Sequence, residues 1–173
     1  FHRVVDFGTG TGRMLALFAP LAAEAEGIDL SHHMLTVARA NLERDGSPIA
    51  RVRQGDVTAV PFENASADLV IIHQVLHYVA APNRVIAEAG RILQPGGRLL
   101  VVDFAPHELE FLRTEHGHHR LGLSPDAMEG WATAAGLKLS KPRAFAPPPE
   151  NDQGLTVHIW TAEKPADAQE SAA

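Results

Sequence analysis

The sequence predicts an α/β fold, a doubly wound and mostly parallel sheet whose last strand runs antiparallel. Three observations carry that expectation. Short apolar runs alternate with segments of helical periodicity from Val4 to Phe104. The run Asp68–His73, "DLVIIH", is continuous enough to be buried on both faces, as parallel strands are. Leu137–Phe145 and Leu155–Glu163 follow one another with no helical pattern between them, so that pair is expected to be antiparallel. A chain of 173 residues with 45% hydrophobic content has material for one core, hence one domain.

Each element has its own justification. Val4 and Val5 lead through Asp6 and Phe7 into Gly8, Gly10 and Gly12, after which Met14–Ala19 reads as helix: strand, tight turn, helix start. Ile28 ends a weak second strand. Ser31 is placed to cap a helix in which Met34, Leu35, Ala38 and Leu42 share a face, and Asp45 with Gly46 stops it. Ile49–Gln54 is a short strand, followed by Asp68–His73. Pro82 suits the first turn of a helix carrying Val85, Ile86, Ala89, Ile92 and Leu93 at helical spacing until "QPGG" breaks it, and "RLLVVDF" is the next strand. Glu108–Glu115 reads as a short helix with Leu109, Phe111 and Leu112. Ser124 and Pro125 open a helix with Leu123 stapled against Met128, the face Met128, Trp131, Ala132 and Ala135, and Gly136 as terminator. "APPPENDQG" is a surface connection, and residues 165–173, without periodicity, form a disordered tail to a domain over 1–164.

Composition excludes several function classes. With no cysteine there is no disulfide framework, thiolate metal site or thiol catalysis. A formal net charge of -6 with scattered basic residues lacks the stripe of a nucleic-acid binder, so no direct nucleic-acid contact is expected. No apolar run approaches the ~20 residues that cross a bilayer, and no charged-then-apolar leader precedes the first strand. The expectation is a soluble cytoplasmic protein with a small-molecule partner.

Ligands on doubly wound sheets sit beyond the carboxyl ends of the strands, where Asp6–Gly12, Asp29, Asp56, His73 and Asp103 all fall. The glycine spacing decides between ligands. A dinucleotide fingerprint needs a glycine where Arg13 stands, and a P-loop needs glycine, lysine and a hydroxyl residue after a longer gap, which Arg13 and Met14 do not supply. Asp6 beside the bend would repel a pyrophosphate and favours a cationic ligand.

Five segments in order, "VVDFGTGTG", "GIDLSHHML", "QGDVTAVPF", "DLVIIHQVLHYV" and "ILQPGGRLLVVDF", resemble the class I S-adenosylmethionine-dependent methyltransferases, in their small-molecule branch near the quinone-biosynthesis C-methylases. The resemblance implies the seven-stranded Rossmann-like fold of that family and S-adenosylmethionine as cofactor. It implies that Asp6 and the backbone of Gly8, Thr9, Gly10 and Gly12 hold the methionine moiety, that Asp29, with Leu30 beside it, accepts both ribose hydroxyls, and that Asp56 with Val57 meets the adenine. One carboxylate can accept two hydroxyl donors, and an adenine amino group is a donor suited to an aspartate. The stretch after Phe104 resembles methyltransferase domains fused behind arsenical-repressor-type winged helices in some bacterial regulators. In the family, helices precede the first strand, and the expectation that follows from the resemblance is that this chain is the rear part of a longer protein.

The resemblance sets the methyl acceptor near the end of the fourth strand, making His73, Gln74, His77 and Tyr78 the catalytic candidates, with His73 also near the cofactor. A histidine could take a proton from a hydroxyl or acidic carbon, whereas plain packing suits His77 and Tyr78 equally. Asp103 reads as a loop residue rather than a catalyst. His107, His116, His118 and His119 lack the same-face spacing of a helical metal pair, so no metal is expected. Methyl transfer to a small molecule is the reading reached. The alternatives are a non-catalytic module sensing S-adenosylmethionine or S-adenosylhomocysteine for a regulator and, third, a nicotinamide oxidoreductase.

Overall fold

Val4, Val5 and Phe7 are buried in the first strand, β1 (Arg3–Phe7), because apolar residues there face both sides of a covered sheet. The computed structural model describes residues 1–46, 49–148 and 154–166. Beyond β1 the backbone takes φ of 69°, 54° and 80° at Gly8, Gly10 and Gly12 and enters α1 (Arg13–Phe18). The expected helix thus starts one residue early and ends in a 3-10 turn at Ala19–Leu21.

β2 (Glu24–Asp29) leads to α2 (His32–Arg44), where the Ser31 hydroxyl accepts from the Met34 N–H at 3.3 Å. Leu35, Ala38 and Leu42 are buried, but Met34 is 38% exposed: one turn into the helix, it lies beyond the sheet end and faces a cavity instead of the core. β3 (Ala50–Gln54) and β4 (Ala67–His73) follow, then a 3-10 turn at Leu76–Tyr78, α3 (Pro82–Ile92) and β5 (Leu93–Phe104).

The next helix is shorter than expected. α4 (Phe111–His116) begins three residues late because the preceding backbone is tied elsewhere, the Ala105 N–H donating to Thr156 O and the His107 N–H to Leu121 O. α5 (Pro125–Ala134) is capped by the Ser124 hydroxyl as predicted, with Leu123 and Met128 in one cluster. The strand expected over Leu137–Phe145 is split into β6 (Lys138–Leu139) and β7 (Arg143–Phe145), since Pro142 has no N–H for a ladder and disfavours regular geometry at Lys141. β8 (Val157–Glu163) pairs with both.

The sheet order is β3-β2-β1-β4-β5-β8-β6, with β7 also on β8, eight strands rather than seven because of that split. β3, β2, β1, β4 and β5 are parallel, and β8 is antiparallel to its neighbours. Alternation sends Val5, Val70 and Ile72 into one core cluster with Ile86 and Trp160, and Val4, Leu69 and Ile71 into another with Met14 and Phe18. The chain winds outward from β1 to β3 and returns at β4, so the carboxyl ends of β1 and β4 part at a topological switch point, where open sheets of this kind leave a crevice. The connection over 146–154 lies partly, and the tail expected over 165–173 mostly, outside the described residues. No described helix is long and apolar enough to cross a membrane.

Candidate functional site

A cavity of about 460 Å³ opens at that crevice, within the range of small-molecule sites. One wall comes from β1, β2 and β3. The Asp29 carboxylate ends β2, and its position is set by two backbone donors: Oδ2 accepts from the Gly10 N–H at 2.9 Å and Oδ1 from the Ser31 N–H at 2.8 Å. Each oxygen keeps capacity for a further donor. Gly10 lines the cavity with a φ of 54°, and a Cβ there would meet nothing in the protein closer than 3.9 Å, so that side of the bend is open to a ligand. Asp56 Oδ1 accepts from both the N–H and the hydroxyl of Thr58 at 2.8 Å, which holds its pKa below the usual carboxylate value, while Oδ2 has no partner among the described residues. Leu30, 63% exposed, and Met34 present apolar surface beside them.

The opposite wall comes from the segment after β4: Gln74, Val75, Tyr78, Val79 and Ala80. Gln74 has a φ of 58°, a left-handed turn that swings the chain off the strand end, and its N–H donates to Val102 O. The walls meet where Gly8 packs on Val75, leaving no room for a Cβ at Gly8.

The cavity thus gathers Gly8, Gly10, Asp29, Leu30, Asp56, Val57, Gln74 and Tyr78 of the residues singled out by the sequence. Asp6, Thr9, Gly12, His73 and His77 lie outside its wall. Asp6 is 1% exposed under the bend, where Oδ2 accepts from the Thr9 hydroxyl at 2.7 Å. Burial, reinforced by the charge of Asp29, pushes its pKa up to about 7 against the pull of Thr9 and a Leu15 backbone bond. Thr9 is buried against Gly27, and Gly12 packs on Ala38 and Leu42 of α2. These three support the bend from behind.

His73 ends β4, half-buried, with its pKa lowered by burial and by the charge of Arg13, against the opposing charge of Asp103. His77 is 1% exposed, with Nδ1 2.6 Å from Asp103 Oδ1. Its ring stands beside Tyr78, Phe104 and His118. Among the described residues no three His, Asp or Glu side chains converge as a metal ion would require.

Sequence reasoning missed Met34, Val75, Val79 and Ala80 as cavity walls. The available signal was position, since each directly follows a strand end by a few residues. It also missed the brace behind Asp56. Arg91 donates to Val60 O, Phe62 O and Asn64 Oδ1, and Glu88 Oε2 accepts from the Val60 N–H, so α3 holds the 60–64 loop in place.

A glycine bend over a switch point, an acidic strand end beside it and a second acidic side chain one strand further out line a crevice of the kind in which open Rossmann-like sheets bind ligands. The family described as "Methyltransferase domain" matches residues 5–101, more than half of the chain, and the protein belongs to that family. The chain is 32% identical over 108 residues to the uncharacterized methyltransferase YcgJ of Bacillus subtilis, a match spanning 62% of this chain and 43% of that protein. It is 35% identical over 129 residues to the ubiquinone/menaquinone biosynthesis C-methyltransferase UbiE of Pseudoalteromonas translucida, spanning 72% of this chain and 51% of UbiE. The chain therefore spans about half the length of the curated relatives it matches. In solved structures the fold recurs in YcgJ, with a TM-score of 0.81 at 19% identity over 95% of this chain and 92% of that one. It recurs equally in the [4+2]-cyclase SpnF, with a TM-score of 0.81 at 20% identity over 95% and 75% of the two chains, so the fold by itself does not name a reaction.

Proposed function

We propose that the cavity holds S-adenosylmethionine and that the protein transfers its methyl group to a small-molecule acceptor, through a domain spanning residues 1–164. The observation that carries the cofactor is Asp29, whose two oxygens are aimed by the Gly10 and Ser31 N–H groups and each retain capacity for one hydroxyl of a ribose. The rest of the wall fits the same ligand. Gly8 and Gly10 let the bend approach it without side chains, Asp56 Oδ2 and Val57 suit an adenine edge, and Leu30 and Met34 cover an apolar ring face. Asp6 and Thr9 act through the bend, as its support, rather than by contact.

The bound cofactor supplies an electrophilic methyl group on a sulfonium. The chain's part is to place an acceptor in line with it and keep water out, and alignment alone yields much of the acceleration of such a displacement. Tyr78, 49% exposed on the second wall, is the residue positioned to touch the acceptor, with the His77 ring 4.1 Å from its own and His73 at the end of β4. A cytoplasmic setting belongs to the same reading, supported by a chain without cysteine.

Calorimetry with S-adenosylmethionine, S-adenosylhomocysteine and NADH tests the cofactor, with binding expected for the first two alone. Incubating the full-length protein with methyl-labelled cofactor and cell metabolites tests transfer. Labelled product is expected. Binding without any transfer, joined to ligand-dependent release of DNA by the full-length protein, would replace the enzyme with a sensor.

A further inference from the structure

Residues 105–123 form a loop whose two ends meet, the Leu123 N–H donating to Phe104 O at 2.9 Å and the His107 N–H to Leu121 O at 3.2 Å. Its later half lies across the turn that supplies the second wall. The His119 and Arg120 N–H groups both donate to His77 O, at 2.8 and 3.3 Å, and the Arg120 guanidinium donates to Ala80 O at 3.0 Å. Tyr78, Val79 and Ala80 line the cavity between those anchors, so the loop is a strap on that wall.

Under the strap, imidazole packs on imidazole. The His118 ring, 6% exposed, has its centroid 4.3 Å from His77, 5.0 Å from Tyr78 and 6.0 Å from Phe104, and His107 lies edge-on to the same Phe104 at 6.2 Å. His118 Nδ1, His107 Nε2 and Arg120 Nε are buried with no partner among the described residues. Native structures keep such atoms few, because each gives up its bond to water and gains none. Three on one strap make its closure easy to reverse.

Charge decides what reverses it. Burial, followed by the charge of His77, lowers the pKa of both His107 and His118, with His107 and His116 adding to the effect at His118. Two carboxylates oppose this. Glu110, facing His107, is exposed and shared with Arg113, and Asp103, facing His118, already accepts from the Leu76 and Phe104 N–H groups and from His77 Nδ1. Arg120 adds a fixed positive charge to the strap, and His158, across the β5–β8 ladder from Asp103, belongs to the sheet and does not move with it. In water an imidazole titrates near 6.5. Closure is thus undisturbed above that pH and is lost as pH falls below it, because the released strap takes up protons that the closed one resists.

We infer that residues 105–123 are a pH-gated strap, closed on the second wall while His107 and His118 are neutral and released when both take up protons. Release frees the Tyr78 turn and takes apart the acceptor side of the cavity, while the Asp29 and Asp56 side stays ordered. The gating belongs to the strap and the turn alone; only its consequence for an acceptor rests on the methyl-transfer reading above.

The test is amide hydrogen exchange of the full-length protein near pH 5.5 and 7.5, each rate divided by the intrinsic rate at its pH. In the wild type the His119 and Arg120 amides should open up to about 100-fold more often at the lower pH, about tenfold from each imidazole, while the β4 amides stay protected. His107→Gln and His118→Gln should each retain about tenfold and together none, whereas His116→Gln, at an exposed position, should keep most of the response. An unchanged wild-type strap, a full response in the double variant, or β4 amides opening in step with the strap overturns the inference; should the double variant not fold, the wild type and the single variants decide. Calorimetry with S-adenosylhomocysteine, run alongside, judges the other reading. No binding there overturns the cofactor assignment and leaves the exchange result to judge the strap.

Discussion

The two walls of the cavity are wired differently. On the β2–β3 side the acidic groups are oriented by close neighbours in the chain, Asp29 by Ser31 and Asp56 by Thr58, with Gly10 added from the adjoining bend. On the β4–β5 side the governing contact joins His77 to Asp103, 26 residues apart, and the His77 carbonyl is covered by a segment more than 40 residues downstream. The first wall presents polar groups with acceptor capacity to spare. The second presents Val75, Val79, Ala80 and the exposed Tyr78 ring, and carries no charged side chain to the cavity. That contrast suits a site that must fix a polar nucleoside on one side and admit a less polar reactant on the other.

The largest effect is expected at the strand between the walls. The Asp6 pKa of about 7 stands above the 3.8 of an unfolded chain, so the folded state holds the proton more tightly. Its stabilising contribution is complete below pH ~4 and lost as pH rises through about 7, on the order of 4 kcal/mol in all. Urea midpoints should fall between pH 5 and pH 8 in the wild type and stay level in Asp6→Asn, which retains an acceptor for Thr9. An equal fall in both would assign the pH dependence to other groups.

A smaller loss is expected where the walls touch. Gly8→Ala places a Cβ against the Val75 side chain at a φ of 69°, which combines left-handed strain with overpacking and should lower stability by roughly 2–3 kcal/mol. If thermal unfolding were unchanged, Val75 would be free to move and the walls would not be coupled. Smaller again is Arg91→Ala, which removes the brace on the 60–64 loop from a partly exposed site. About 1–2 kcal/mol of stability should go, together with some adenosine affinity through Asp56. An effect on stability alone would separate the brace from the site.

The same contrast decides what could be read from the sequence. The parallel strands and the helices between them, the Ser31 and Ser124 caps, the glycine bend and the place of Asp29 at a strand end were all legible, because each rests on periodicity or on residues within a few positions of one another. The Met34 side chain was misplaced since its helical stripe continues past the sheet edge, a fact about where the sheet stops. Asp103 looked like a loop residue because the pairing of β4 with β5, which sets His73 opposite Val102, is what carries the following turn over it. The withdrawal of Asp6 and Thr9 behind the bend likewise follows from the path of three left-handed glycines rather than from spacing.

Isothermal titration of S-adenosylhomocysteine into wild type and Asp29→Ala bears most directly on the whole account. Removing the carboxylate deletes a charged acceptor shared by two hydroxyls and frees the Gly10 and Ser31 N–H groups, so affinity should fall by about 30- to 100-fold, or ~2–3 kcal/mol, with the fold intact. Equal affinity in the two proteins would mean that the nucleoside does not lie against β2, and the cavity would need another ligand.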